Sequence, residues 1–80
     1  MGDRERRHQA FRRRVSQRVR YHRERQRMTQ ADLARATGYL HTSISNIETN
    51  RQCPTLFMAC GLAAALGIDL NQLIQRRTRC

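Results

Sequence analysis

The sequence predicts an all-α domain of five short helices, and three observations predict it. Phe11, Val15, Val19 and His22 recur at i, i+4, i+8 and i+11, the spacing of one helical stripe. Thr29 with Asp32, and Asp69 with Gln72, are helix-start pairs in which a cap is followed three residues later by a side chain that reaches back. Gly38, Asn50 and Gly67 are stop signals, and no segment alternates with the period of a strand.

Residues 1–10 carry no apolar stripe and are expected as a flexible basic arm, with residues 11–80 as the folded domain. The first helix is expected over 11–26, its thin stripe surrounded by arginine. The second spans 30–37: Thr29 caps it, Met28 and Leu33 bracket its start as a hydrophobic staple, and Gly38 ends it. It has barely two turns and requires a packed partner. After Tyr39 and Leu40 a third helix, 41–49, turns Ile44 and Ile47 inward and leaves His41, Thr42, Ser45 and Asn46 on its outer side. Pro54 interrupts the chain and keeps Cys53 extended. Thr55 caps a fourth helix, 55–66, whose apolar positions are Leu56, Ala59, Cys60, Leu62, Ala63 and Leu66. The fifth, 70–76, begins at the Asp69 cap with Ile68 and Leu73 as its staple. Arg76, Arg77 and Arg79 stand at its end, where cations suit the helix dipole.

Composition narrows the function. Eighty residues make one domain with an aliphatic core, since there are two Phe, two Tyr and no Trp. The net charge is +10, and every basic residue is arginine. Eleven arginines fall in residues 1–27 against only Asp3, Glu5 and Glu24. That concentration suits a polyanion: nucleic acid or an anionic membrane surface. No apolar run approaches the roughly 20 residues of a membrane span. The polar start, Met1-Gly2-Asp3-Arg4, is not a secretory signal, so the cytoplasm is the expected location. Cys53, Cys60 and Cys80 form no CxxC pair, and His8, His22 and His41 are not at zinc-ligand spacing from them. Free thiols, no metal and no cofactor are expected.

Two short helices joined through a glycine-containing turn form a helix-turn-helix, whose second helix protrudes and fits the DNA major groove. The stretch TQADLARATGYLHTSISNIETNRQCPTL resembles the lambda-repressor/Cro-like (XRE) family. The matching residues are Thr29, Gln30, Leu33, Ala34, Gly38, Ile44, Ser45, Glu48 and Pro54. The later LAAALGIDLNQLI, 62–74, is similar to the family's last two helices, and the likeness covers about residues 12–75. The resemblance implies a compact five-helix lambda-repressor-like fold and roles for particular residues. His41, Thr42, Ser45 and Asn46 would face base edges, for which Asn and His have both donors and acceptors. Gln30 would bind a phosphate while bracing a side chain of the third helix. Thr49, Asn50 and Arg51 would grip the DNA backbone, and Arg23 with Glu48 would form a buried ion pair tying the first helix to the third.

Departures from the family pattern are informative. His22 stands at a usually apolar position and is expected as a partly buried neutral imidazole. Leu40 replaces a Ser or Thr cap, a loss of about 1 kcal/mol, with Thr42 as the alternative cap. Arg27 replaces a common glycine and becomes a further phosphate candidate. Phe57 and Met58 replace polar residues; with Leu70, Leu73 and Ile74 they compose the expected dimer interface. With Asp32, Glu48 and Asp69 assigned to capping or pairing, no nucleophile–base set remains, and an enzyme is not expected. The reading that follows is a dimeric repressor that binds a pseudo-palindromic double-stranded DNA operator. The alternatives are a restriction-modification controller protein, a DNA-binding antitoxin with a toxin as protein partner, and a non-specific nucleoid or RNA binder.

Overall fold

The computed structural model describes residues 3–74, with side chains from Gln9 onward. The helices are α1 (Asp3–Arg25), α2 (Gln30–Thr37), α3 (His41–Glu48), α4 (Leu56–Leu66) and α5 (Leu70–Ile74). No strand occurs among the described residues. α1 begins well before Phe11, so the stretch expected as a flexible arm is helical from Asp3. Its sequence has no glycine or proline between Asp3 and Arg25 and is rich in helix-favouring Arg, Gln and Glu. Asp3 and Glu5 lie at the N-terminal end, where the helix dipole favours acids. α5 is described to Ile74; the rest of its expected span, with Arg76, Arg77, Arg79 and Cys80, lies outside the described residues.

The core is aliphatic. Val15 and Val19 enter it from α1, Leu33 and Ala34 from α2, and Ile44 and Ile47 from α3. Leu62, Ala63 and Leu66 of α4 and Leu73 of α5 complete it. Each fully buried Val, Leu or Ile contributes about 1.5–3 kcal/mol. α1 packs against α3, α4 and α5, while α2 packs against α3 and α4. Two expectations for α4 fail. Leu56 and Cys60 are exposed, because the buried stripe runs through Ala59, Leu62, Ala63 and Leu66. Leu73, expected at a dimer interface, has 0% of its surface exposed and belongs to the monomer core.

Among the described residues, four left-handed ones punctuate the chain: Arg27 (φ 59°), Gly38 (φ 79°), Asn50 (φ 64°) and Gly67 (φ 71°). At Arg27 the N–H groups of Arg27 and Met28 fold back to Glu24 and Arg23 carbonyls at 2.9 and 3.1 Å. The same device closes α3, where Asn50 and Arg51 donate to Ile47 and Asn46 at 3.2 and 2.8 Å. Asn tolerates this conformation, whereas a left-handed arginine costs about 1–2 kcal/mol. The usual glycine therefore has a structural reason, and Arg27 meets the same turn with a charge.

The turn between α2 and α3 is short and pinned. The Gly38 N–H donates to the Ala34 carbonyl at 2.8 Å. The Tyr39 ring lies over Gly61 of α4, where a Cβ would collide with the tyrosine hydroxyl. Upstream, the Thr29–Asp32 capping box is complete and holds the Asp32 carboxyl below the usual aspartate range, chiefly through the Thr29 backbone N–H. α3 has no such help. Its cap is Leu40, in extended geometry (φ −71°, ψ 145°), with no side-chain bond to the helix, and α3 starts at His41 without slipping to Thr42.

Polar contacts orient α1 on the other helices. Arg23 holds Glu48 by two bonds, Nε to Oε2 at 2.7 Å and Nη2 to Oε1 at 3.0 Å. The Glu48 side chain is only 2% exposed and that of Arg23 11%. Arg23 Nη1 also donates to the Met28 carbonyl at 2.6 Å, and Gln30 Nε2 donates to Glu48 Oε1 at 3.2 Å. Buried Ser16 donates to the Glu48 carbonyl at 2.7 Å. The bond to Glu48 raises the Arg23 pKa further, against the desolvation of a partly buried site. His22 behaves oppositely. Burial, then the charges of Arg18 and Arg25, lower its pKa from the ordinary 6.5, so it is neutral at pH 7. The unfolded chain takes up that proton more readily, so stability is lost as pH falls below 6.5 towards the folded value.

Two stability changes are expected. Glu48→Ala leaves Arg23 unpaired in a largely buried site and should cost about 3–5 kcal/mol in urea denaturation. A loss under about 1 kcal/mol would mean that the pair behaves as an exposed one. Leu40→Ser supplies the missing cap and should add about 1 kcal/mol. In a domain of this size that raises the thermal midpoint by about 4–8 °C; an unchanged midpoint would refute the capping deficit.

Candidate nucleic-acid interface

α3 has two faces of different chemistry. Ile44, Ile47 and Glu48 are buried, which commits one side to the core and to the Arg23 ion pair. His41 and Thr42 are exposed on the other side, with Ser45 and Asn46 half-exposed beyond them. Among the described residues no hydrogen bond engages these four side chains, whose donors and acceptors stay open to a partner. The periodicity of an eight-residue helix makes this division, and the Arg23–Glu48–Gln30 cluster sets the roll of the helix about its axis.

The residues expected to hold phosphate are not equivalent. Gln30 opens α2, half-buried, with its amide turned to Glu48. Thr49 is exposed, but its hydroxyl donates to the Ser45 carbonyl at 2.9 Å, closing the end of α3. Asn50 is half-buried; its side-chain Oδ1 is buried without a partner, and its carbonyl accepts Arg12 Nη2 at 3.4 Å. Arg51 and Arg27 are exposed, Arg51 just beyond the end of α3 and Arg27 in the turn before α2.

The sequence did not single out Arg12, Ser16, Arg18 or Gln26. Arg18 donates to the Gln72 carbonyl at 3.0 Å and Gln26 to the Leu66 carbonyl, so α1 and the turn that follows it close the ends of α5 and α4. Their partners are main-chain oxygens distant in sequence, and main-chain acceptors leave no motif. Only Ser16 had a signal: a small polar residue between Val15 and Val19, on a face that must be buried.

The expected dimer surface is divided. Phe57 is 79% exposed, whereas Met58 and Ile74 pack partly on the core and Leu70 is half-buried. Leu56, expected inside, is exposed and borders an apolar groove of about 180 Å³ with Phe11, Val15, Ala59 and Ile74. Cys53 and Cys60 are free thiols, and no group of three or more ligating side chains occurs among the described residues. No described helix is long and apolar enough to cross a membrane.

The family model "Helix-turn-helix" matches residues 19–73. Among solved structures the fold is similar to a hypothetical transcription factor from Neisseria, with TM-score 0.77 and 31% identity over 80% of this chain and 74% of that one. It is also similar to the restriction-modification controller protein of Aeromonas hydrophila, with TM-score 0.76 and 26% identity over 80% of this chain and 97% of that one. No curated protein matches the sequence. With these five helices and more than half of its length matched, the chain belongs to the lambda-repressor/Cro-like (XRE) helix-turn-helix family of DNA-binding transcriptional regulators.

Proposed function

We propose that this protein is a dimeric cytoplasmic repressor that reads a pseudo-palindromic DNA operator by inserting α3 into the major groove. One observation carries the reading: the His41, Thr42, Ser45 and Asn46 side chains lie on the open face of a helix held rigidly from behind. Their donors and acceptors match what base edges require, and an α-helix fits the width of the groove. Arg27, Gln30, Thr49, Asn50 and Arg51 border that face and supply phosphate contacts through side chains or main chain, which position without specifying. One α3 spans only a few base pairs, so a second copy about 34 Å away gives the operator a useful length.

The surface for that second copy centres on Phe57 and the neighbouring Leu56 and Ile74, with Met58 and Leu70 at its edge. High net charge opposes the association in free solution, and DNA removes the opposition. A second reading, a restriction-modification controller, is favoured by the match spanning 97% of the Aeromonas controller protein. Transcription from the protein's own promoter separates the two. Repression at all concentrations supports the first; activation at low concentration supports the second.

Binding should be sequence-specific and strongly salt-dependent. About six phosphate contacts per dimer give a log–log slope near −5. Asn46→Ala should cost about 1–3 kcal/mol and relax preference at one base pair per half-site, whereas Arg51→Ala should weaken all sequences alike. Competition against a randomised site library reads both. An intact site preference after Asn46→Ala would displace Asn46 from base readout, and equal affinity for scrambled DNA would refute an operator altogether. Phe57→Glu combined with Ile74→Glu should abolish cooperative occupation of two half-sites while leaving single half-site binding. Sedimentation and operator titration check this; undiminished cooperativity would move the interface elsewhere.

A further inference from the structure

α1 is longer than the family match requires. The match begins at residue 19, whereas the helix begins at Asp3, so about 24 Å of helix precedes the matched segment at 1.5 Å per residue. That segment adds little to the core, since Val15 is its one fully buried apolar side chain. It adds charge instead. Among the described side chains, Arg12, Arg13, Arg14 and Arg18 meet no carboxylate, whereas Arg20, Arg23 and Arg35 each do.

Contacts orient this charge. Arg12, Ser16 and Arg23 form the row of α1 that faces the end of α3: Arg12 reaches the Asn50 carbonyl, Ser16 the Glu48 carbonyl and Arg23 the Glu48 carboxylate. Phe11, Val15 and Arg18 face α4 and α5 instead. At 100° per residue, exposed Arg13 points about a quarter-turn round α1 from Arg12, onto a surface it shares with Arg14, Gln17 and Tyr21. Arg14 and Arg25 point to the far side, where they stack on Phe11 and Tyr21. Arg12 thus borders the loop of Thr49, Asn50 and Arg51, and Arg13 follows it on the adjacent, exposed face of α1.

We propose that the N-terminal half of α1 is a second DNA-phosphate site, in which Arg12 and Arg13 hold the duplex backbone flanking the base pairs read by α3. The site rests on the DNA-binding reading above and extends it past the family's matched segment. Arg12 and Arg13 meet no carboxylate and fan out from successive positions of α1, Arg12 over the loop expected to grip phosphate and Arg13 about a quarter-turn further round; each guanidinium can fork onto the oxygens of a separate phosphate. The contact carries no sequence information. It lengthens the footprint outward and adds affinity to all sequences equally.

The test compares Arg12→Gln/Arg13→Gln with Arg14→Gln/Arg25→Gln, an equal charge change on the opposite side of α1. Circular dichroism and thermal midpoints establish that both variants fold. Binding is measured on a selected operator, on scrambled DNA, and on an operator trimmed to the base pairs that α3 spans. The Arg12/Arg13 variant should bind operator and scrambled DNA more weakly by the same factor. Its log–log salt slope should be shallower by about 2 per bound protomer, so that its affinity falls about tenfold less between 50 and 200 mM salt. Trimming the flanks should weaken the wild type and the control variant but leave the Arg12/Arg13 variant unchanged. An unaltered salt slope, or equal losses in the two variants, would overturn the site. If the wild type itself does not distinguish operator from scrambled DNA, the operator reading fails while the flank and salt comparisons still judge the phosphate site.

Discussion

The Arg23–Glu48 pair is the constraint on which the geometry of α3 depends. A charge pair removed from water gains little net stability, because desolvation offsets attraction. Its value is direction. Ile44 and Ile47 attach α3 to an aliphatic core that tolerates small rotations, but a bidentate carboxylate–guanidinium contact fixes orientation. Gln30 from α2 and Ser16 from α1 bond to the same glutamate, so three helices converge on one residue. The face of α3 that remains open follows from this arrangement, as does its angle to α2. A helix only two turns long needs such anchoring, since its own hydrogen bonds cannot hold it.

What was legible in the sequence was local. Thr29 and Asp32, Gly38, Thr55 and Gly67 act within one turn of their own positions, and the structure uses each as its chemistry dictates. α2 over 30–37 is accordingly the expected helix to the residue. Amphipathic reasoning was weaker where a helix passes the edge of the core. It began α1 at Phe11 because residues 1–10 carry no apolar stripe, yet the arginine-rich helix extends back to Asp3. It placed Leu56 inside and Leu73 outside, and both are reversed. Spacing gives the relative phase of residues within a helix, whereas the end of a short helix meets core or solvent according to its neighbours. The site divides in the same way. The open face of α3 was readable from Ile44 and Ile47, but the inward turn of Asn50 and the Arg12 contact arise only from tertiary packing.

Charge connects the fold to its partner. Arginine surrounds α1 on the faces that do not pack, and three of the described carboxylates are used within the fold: Asp32 in a cap, Glu48 in the core, Glu24 beside Arg20 and Arg23. The free protein therefore retains uncompensated positive charge, which opposes compaction and opposes a second copy. A duplex reverses both effects, because its phosphates neutralise arginines and release counterions. Any partner that binds the folded state alone also stabilises it. A domain with an uncapped α3 and a left-handed arginine has little stability to spare, so such linkage matters to it. The same arginines that weaken the isolated fold would make its association with DNA strong, so stability and DNA binding become one coupled equilibrium.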